Sequence, residues 1–246
     1  MLAFNLLAVV LLGAPPTAPL PSVEEAITQA ADQPRRQAQE TLARATGQAP
    51  RDNARLLARL SRAWSDAVDL SDPASAKVAA RHALDLGLQA VAADPKNAQA
   101  HLALAIAEGQ WTDFVDRKTK VALSRQIRSE AERAIQLDPK LDMAYHVLGR
   151  WHLEVAAVNP ILRFGAKLTV GELPPASMDE AARNLEKATD LSPKTILHHQ
   201  YLAQVYQAQH RKSDAQRQWE KVLALPAQDH DDEVAQQQAR AALGRR

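Results

Sequence analysis

The sequence of 246 residues contains no cysteine, only 8 glycines and few aromatic residues, with 3 Phe, 3 Tyr and 4 Trp. Without cysteine the chain can form no disulfide, no thiolate metal site and no cysteine nucleophile. The scarcity of glycine disfavours the glycine-rich phosphate-binding loops of nucleotide-dependent enzymes. Few aromatic residues, together with abundant alanine, predict an all-α protein.

The chain also has no excess of charge of either sign, because its 30 Lys and Arg residues are nearly balanced by 29 Asp and Glu residues, for a formal charge of +1. Nucleic-acid-binding proteins usually carry a concentrated basic surface, so the balance argues against nucleic acid as a partner. The sequence contains no G-x-S-x-G, P-loop, dinucleotide-binding or H-E-x-x-H motif. We therefore expect a protein that is not an enzyme and that has no catalytic residues, cofactor or metal.

Residues 1–22 differ from the rest of the chain. Met1 to Leu12 is apolar except for Asn5, no charged residue precedes Glu24, and several prolines follow the apolar run. The run is shorter than the roughly 20 residues of a membrane-spanning helix and is typical of a secretory signal. We expect a signal peptide or membrane tether with a proline-rich linker, hence an exported or membrane-tethered protein (in the periplasm or cell envelope if bacterial). A cytoplasmic protein with an uncleaved apolar tail is the alternative.

Residues 23–246 show apolar residues at helical spacing. One pattern recurs along them: the end of an amphipathic helix, a short turn with proline, and a new helix. It is found in AVAADPKNAQAH (90–101), AIQLDPKLDMAYH (134–146), KATDLSPKTILHH (187–199) and KVLALPAQDH (221–230). We expect Asp94, Asp138 and Ser192, which precede the prolines, to cap the helices that follow.

The interval from Pro193 to Pro226 is 33 residues, close to the 34 residues of the tetratricopeptide repeat (TPR), a helix–turn–helix unit. A preceding unit has an insertion at 158–175, and an earlier one has a lengthened second helix. A further helix pair is predicted at 54–64 and 77–92, and a polar final helix at 231–243. The sequence thus predicts an all-α fold, a TPR-like α-solenoid of irregular helix-turn-helix repeats with four units in residues 23–246.

Local signals support this repeat pattern. We expect capping boxes in which Ser177 acts with Glu180 and Ser213 with Gln216. Three small residues, Gly149, Ala181 and Ala188, stand where the two helices of one unit should approach closely. The apolar insertion at 158–175 has three open interpretations: an amphipathic helix that touches lipid, a segment that closes over a groove, or a packed decoration of the solenoid.

Stacked TPR units form a groove that is lined by their first helices. The repeat register predicts three ridges of partner-binding residues in this groove: Gln99, Leu102 and Ile106; His146, Arg150 and Leu153; and Gln200, Tyr201 and Gln204. Amides suit the backbone of an extended peptide and Arg150 suits a carboxylate, with Glu154 one turn later to orient it. The sequence therefore predicts a scaffold or adaptor that binds a protein partner in its groove.

Five phrases resemble the regulator of microtubule dynamics protein family over about residues 54–243. They are ARLLARLSRAWSDAVDLS, ADPKNAQAHLALAI, IRSEAERAIQLDPKLDMAYHVLGRW, PPASMDEAARNLEKATDLSP and WEKVLALPAQDHDDEVAQQQARAAL, in that order. The resemblance implies a TPR-like interaction domain and an association with microtubules. One branch of the family acts at membrane contact sites and binds phospholipid, which gives lipid binding or lipid transfer as an alternative function. The Phe-Phe motif of that branch is missing, since the phenylalanines here are Phe4, Phe114 and Phe164.

Overall fold

The computed structural model describes residues 22–31, 33, 35–68 and 72–244. Within these residues the chain forms twelve α-helices and one 3-10 turn, and it forms no β-strand. The helices are α1 (Val23–Ala31), α2 (Arg35–Gln48), α3 (Ala54–Asp66), α4 (Pro73–Ala93), α5 (Ala98–Trp111), α6 (Arg117–Leu137), α7 (Asp142–Ala156), α8 (Pro160–Thr169), α9 (Met178–Leu191), α10 (Ile196–Ala208), α11 (Lys212–Ala224) and α12 (His230–Ala242).

The helices pack as antiparallel pairs that follow one another along the chain. The pairs are α1 with α2, α3 with α4, α5 with α6, α7 with α9, and α10 with α11, and α12 packs against the last pair. The predicted TPR-like α-solenoid is confirmed. The prediction of four units is wrong for the described residues, because α1 and α2 form an additional pair before α3.

Small side chains allow the two helices of a pair to approach closely. Ala181 and Ala188 of α9 are completely buried where α9 meets α7, as predicted. Alanine occupies the same kind of position in the other pairs, for example Ala79 and Ala83 of α4 and Ala131 of α6, all of which are fully buried. Alanine therefore supplies both the helix propensity and the close contact on which the stacking depends.

The proline turns are built differently from the prediction. Asp94, Asp138 and Ser192 are the C-cap residues directly after α4, α6 and α9 and do not cap the next helices. The carboxylate of Asp94 instead accepts a hydrogen bond from the backbone N–H of Lys96 inside the turn. Because each turn occupies three residues after its Asp or Ser, the next helix begins too late for that side chain to reach it.

The two predicted capping boxes also differ. Ser177 caps α9 by accepting from the backbone N–H of Glu180 at 3.1 Å, which is the first half of the predicted box, whereas the Glu180 carboxylate pairs with Arg183. Ser213 does not cap α11, which begins at Lys212 without a side-chain cap. His210 adopts a left-handed conformation (φ 59°) and Arg211 donates to the carbonyl of Tyr206, so the helix starts one residue before Ser213.

Two irregular segments separate the units. The lengthened second helix is α6, which follows a 3-10 turn at Thr112–Phe114. The insertion forms the short helix α8 and an extended stretch before α9. In the described part of the chain, no helix combines the length and the apolar character that a membrane span requires. The predicted N-terminal signal or tether lies outside the described residues, apart from Ser22.

Candidate partner-binding surface

The first helices of the units stand side by side. Helix α3 packs against α5, α5 approaches α7, and α7 approaches α10. The nine residues predicted to bind a partner lie on α5, α7 and α10, and we call the side of these helices that carries the exposed ones the first-helix surface. The second helices α4, α6, α9 and α11 pack behind it.

Arg150 is the centre of the polar part of this surface. Its Nε donates to Glu154 Oε1 at 2.6 Å, so the predicted i,i+4 pair is present. The guanidinium also lies 5.4 Å from the centroid of the Tyr201 ring on α10, within the range of a cation–π interaction. Its side chain is 53% exposed, and within the described part of the chain no hydrogen bond engages its two Nη groups. The guanidinium is therefore positioned and still available to a carboxylate.

A buried pair of histidines lies beside Arg150. His198 Nε2 lies 2.9 Å from Asp142 Oδ2, and His198 Nδ1 lies 3.1 Å from His146 Nδ1. Because a carboxylate accepts, His198 carries its proton on Nε2, and His146 Nδ1–H donates to His198 Nδ1. The His146 ring also meets Tyr201 edge-on, with 5.0 Å between the centroids.

Burial keeps both imidazoles neutral. It lowers the pKa of His146 well below its ordinary value, and the nearby His198, Arg150 and Arg62 lower it further. Burial also lowers the pKa of His198, although the hydrogen bond and charge of Asp142 oppose this effect. The histidine pair thus joins α7 to α10 without adding charge next to Arg150.

The structure distributes the nine predicted residues over two environments. Leu102, His146 and Gln200 are buried, and the Gln200 amide donates to Gln238 of α12 at 2.9 Å. Six residues keep exposed surface, either fully or in part: Gln99, Ile106, Arg150, Leu153, Tyr201 and Gln204. Of these, Arg150 lies over the Tyr201 ring, Leu153 and Tyr201 pack against one buried cluster of α9 and α10, and Gln99 lies at the start of α5.

A second polar group, which the sequence pattern did not predict, lies on α3 and α5. Gln110 Nε2 donates to the backbone carbonyl of Ser65 at 2.8 Å and so links the ends of these helices. Arg62 Nε, Ser65 Oγ and Gln110 Oε1 are buried without a hydrogen-bond partner in the described structure. Unsatisfied buried polar atoms are rare in folded proteins. The signal in the sequence was the presence of polar residues inside otherwise apolar helical segments.

Glu108 of α5 is a strongly perturbed ionisable group. The residue is 3% exposed, and its Oε2 atom has no hydrogen-bond partner among the described residues. Burial raises the pKa of Glu108 to about 8, and repulsion from Glu130 adds to the effect. At neutral pH the side chain is therefore mostly a neutral carboxylic acid.

Comparison with known proteins gives one family. A family model described as "Regulator of microtubule dynamics protein 1-3" matches residues 10–245. Regulator of microtubule dynamics protein 2 of Rattus norvegicus is 27% identical over 188 residues, which are 76% of this chain and 46% of the relative. Protein 1 of Mus musculus is 29% identical over 194 residues, 76% of this chain and 63% of the relative. The chain thus spans about half the length of the first of these relatives.

Solved structures resemble the chain in fold. The crystal structure of a thermophilic TPR protein of Thermus thermophilus, TTC0263, matches with a TM-score of 0.65 and 19% identity. The match covers 90% of this chain and 96% of that one. At this identity the likeness concerns the TPR fold alone.

Proposed function

Since the chain belongs to the regulator of microtubule dynamics protein 1-3 family, we propose that it is a non-enzymatic TPR-like scaffold that binds an extended segment of a partner protein on the first-helix surface. The segment carries an acidic side chain or a free carboxyl end near Arg150. We define the partner only by this carboxylate and do not identify it with a particular protein. Microtubules are mentioned in the names of the relatives, but no residue that we identify on the first-helix surface points to microtubule binding.

The state of Arg150 carries this proposal. Glu154 holds Nε and Tyr201 lies under the guanidinium, so little side-chain entropy is lost when a ligand binds. The Nη groups can then form the two parallel hydrogen bonds that a carboxylate accepts. The neutral histidine pair next to Arg150 neither competes for the carboxylate nor repels the guanidinium.

The neighbouring residues suit the rest of such a segment. Ile106 and Leu153 are half-buried and offer apolar contact, whereas the amide of Gln204 can bond a peptide backbone. An extended peptide needs this mixture, because its backbone requires polar partners and its side chains require pockets.

The test uses peptides selected on the wild-type protein from a displayed library with free carboxyl ends. Arg150→Ala should weaken binding of a selected peptide by about tenfold to a hundredfold, because a charge-assisted hydrogen bond contributes about 1.5–3 kcal/mol. Calorimetry measures the affinity, and circular dichroism checks that the helices are intact.

Arg211→Ala is the matched control. Arg211 also lies over a tyrosine ring, Tyr206 at 4.1 Å, and pairs with Asp214 at 2.7 Å, but it precedes α11 in a turn. Its loss should leave the peptide affinity unchanged. Equal affinities for the wild-type protein and Arg150→Ala would contradict binding at this surface.

Phospholipid held inside the array is the alternative function, and it would need an enclosed apolar cavity. In the described part of the chain, a cleft between α2 and α4 measures about 280 Å³. Polar side chains contribute to its lining, including Arg51, His82, Asp85 and Gln89. The lining of this cleft does not suit an acyl chain.

For the N-terminus we retain the proposal of a signal or membrane tether in residues 1–22, with the array from 23 onward as a separate unit. Fractionation of the native host and N-terminal sequencing test it. Recovery with membranes or with the exported fraction supports the proposal, whereas a freely soluble cytoplasmic protein that starts at Met1 contradicts it.

A further inference from the structure

Helix α8 exposes its apolar face to solvent, whereas an ordinary surface helix turns this face to the core. Its large apolar side chains are among the most exposed of the described chain: Ile161 is 80% exposed, Leu168 70% and Phe164 64%. These three residues follow one another at spacings of three and four and therefore share one face. Leu162, beside this face, is 67% exposed. We call these four residues the α8 apolar ridge.

Polar bonds attach the opposite face of α8 to the array. Arg163 Nη2 donates to the carbonyl of Val155 at 2.6 Å, and Nη1 donates to that of Pro174 at 3.4 Å. Arg125 of α6 donates to the carbonyl of Glu172, just after the helix. In a soluble protein the apolar stripe normally faces the core, but here the guanidinium occupies that side.

The helix is nevertheless well formed. Asn159 caps its start by accepting from the backbone N–H of Ile161 at 2.8 Å, and Pro160 occupies the first turn. At its end, Val170 and Gly171 both donate to the carbonyl of Ala166. Gly171 has a φ of +113°, which glycine adopts without strain. The exposure of the ridge is therefore a property of an ordered helix.

Exposed cations lie on α8 and on α6. Lys167 of α8 is 56% exposed and pairs with Glu172. Gly171, shortly after α8, lies against α6, because a Cβ at this position would stand 3.5 Å from Arg125 Nη2. Exposed Lys118 and Arg125 share one face of α6, since they are seven residues apart. An apolar ridge beside exposed cations matches the interface of an anionic bilayer, which takes up apolar side chains and attracts Lys and Arg.

From this arrangement we propose that α8 docks the array on an anionic membrane surface. Ile161, Phe164 and Leu168 enter the boundary between headgroups and acyl chains, and the cations contact the headgroups. A single helix inserted to about 5–10 Å is the usual form of such contact. A convex ridge with its side chains pointing outward suits a deformable lipid layer better than a partner protein, which would need a matching groove. The proposal does not depend on the first-helix surface.

The test uses the absence of cysteine, which allows one cysteine to be placed and labelled at a chosen site. Full-length Phe164→Cys, labelled with an environment-sensitive fluorophore, is mixed with vesicles of phosphatidylcholine and phosphatidylglycerol at about 7:3. We expect a blue-shifted, severalfold stronger emission that lipid-borne quenchers reduce, and a weaker response with phosphatidylcholine alone or at high salt. This local readout separates α8 from any vesicle binding by the apolar N-terminal run.

Leu88→Cys is the matched control. Leu88 of α4 is also an exposed large apolar residue, at 49%, and its label should not respond. Adding Ile161→Ser and Leu168→Ser should weaken the response at position 164 by about tenfold or more, because burial of apolar area drives insertion. The pair Val78→Ser and Leu88→Ser should leave that response unchanged.

Three outcomes would overturn the proposal. In the first, the label at 164 does not respond although the chain floats with the vesicles. In the second, the label is already shielded without vesicles and the protein sediments as a dimer, which means that a second copy covers the ridge. In the third, the label is already shielded without vesicles in the monomer, which means that the chain covers its own ridge.

Discussion

Gly149 of α7 and Leu185 of α9 are in such close contact that a Cβ at position 149 would stand 2.7 Å from Leu185 Cγ. The same Cβ would stand 3.2 Å from the carbonyl oxygen of Ala181. Leu185 is fully buried, so it has little freedom to move away. The middle unit of the array therefore depends on the missing side chain at residue 149.

Gly149→Ala should destabilise the protein by about 1–3 kcal/mol, because the added methyl group overpacks the contact of α7 with α9. Urea unfolding monitored by circular dichroism measures the change. Gly109→Ala is the control: Gly109 lies in helix α5, a Cβ there would meet no atom within 4 Å, and alanine should stabilise the helix slightly. A neutral Gly149→Ala would contradict the close packing.

The close approach of α7 and α9 could be predicted because it rests on local signals. A proline turn marks each new unit, and Ala181 and Ala188 are seven residues apart, on one face of the helix that pairs with the helix of Gly149. The sequence does not mark α1 and α2 as a pair, since no proline turn of this type precedes them. The predicted caps at Asp94 and Ser213 are wrong because helix starts shift by a residue or more with the turn conformation, which sequence does not specify.

The candidate site was less predictable. Arg150 and Glu154 are one turn apart on one helix, so their pairing follows from helical geometry. His146 and His198, in contrast, are 52 residues apart, and their contact arises only when α7 and α10 stack. The outward orientation of α8 could not be predicted either, because an amphipathic pattern does not state which face the rest of the protein will contact.

The buried histidine pair should make the protein less stable in mild acid. In the unfolded chain a histidine takes up a proton below about pH 6.5, whereas burial lowers the pKa values of His146 and His198 in the folded protein. The unfolded state then binds more protons, so the free energy of unfolding falls as the pH drops below 6.5, by up to about 1.4 kcal/mol per pH unit for each histidine.

Urea unfolding at pH 7.5 and pH 5.5 measures this loss. His198→Asn should be less stable at both values, because Asp142 and His146 lose a partner, but its stability should change less between them. If the variant lost as much stability as the wild-type protein over this range, the pair would not be the source of the acid sensitivity.

Glu108 should act in the opposite direction. Burial raises its pKa from 4.5 to about 8, so the folded protein retains a proton that the unfolded chain releases. The contribution of Glu108 to the free energy of unfolding is therefore fully present below pH 4.5 and is lost as the pH rises to about 8. Glu108→Gln removes the titration, and the variant should gain stability relative to the wild-type protein between pH 5 and pH 8.5.

Thermal unfolding over this pH range compares the two proteins. Glu132→Gln is the control, since it makes the same substitution at a partly exposed residue of α6 that pairs with Arg128. A Glu108→Gln profile parallel to that of the wild-type protein would show that Glu108 is ionised in the folded state.

The last prediction concerns the proline turns. In three units, the side chain of the fourth residue of the first helix forms a hydrogen bond to the turn before it. His101 Nε2 and His199 Nε2 each lie 2.9 Å from the carbonyl oxygens of Pro95 and Pro193, six residues earlier. The Tyr145 hydroxyl reaches the Pro139 carbonyl in the same way, at 3.3 Å. This side chain therefore fastens each turn to the first helix that follows it.

His199→Leu should cost about 1–3 kcal/mol of stability, measured by urea unfolding. His199 is 1% exposed, and its Nδ1 lies 2.7 Å from Oε1 of the Gln218 side chain. Leucine would remove both hydrogen bonds of the buried imidazole, each of which contributes about 0.5–1.5 kcal/mol. Tyr145→Phe removes one long hydrogen bond at a half-exposed position, where water can replace it, and should cost less than about 1 kcal/mol. Equal losses for the two variants would mean that the buried bonds of His199 do not determine the stability of its turn.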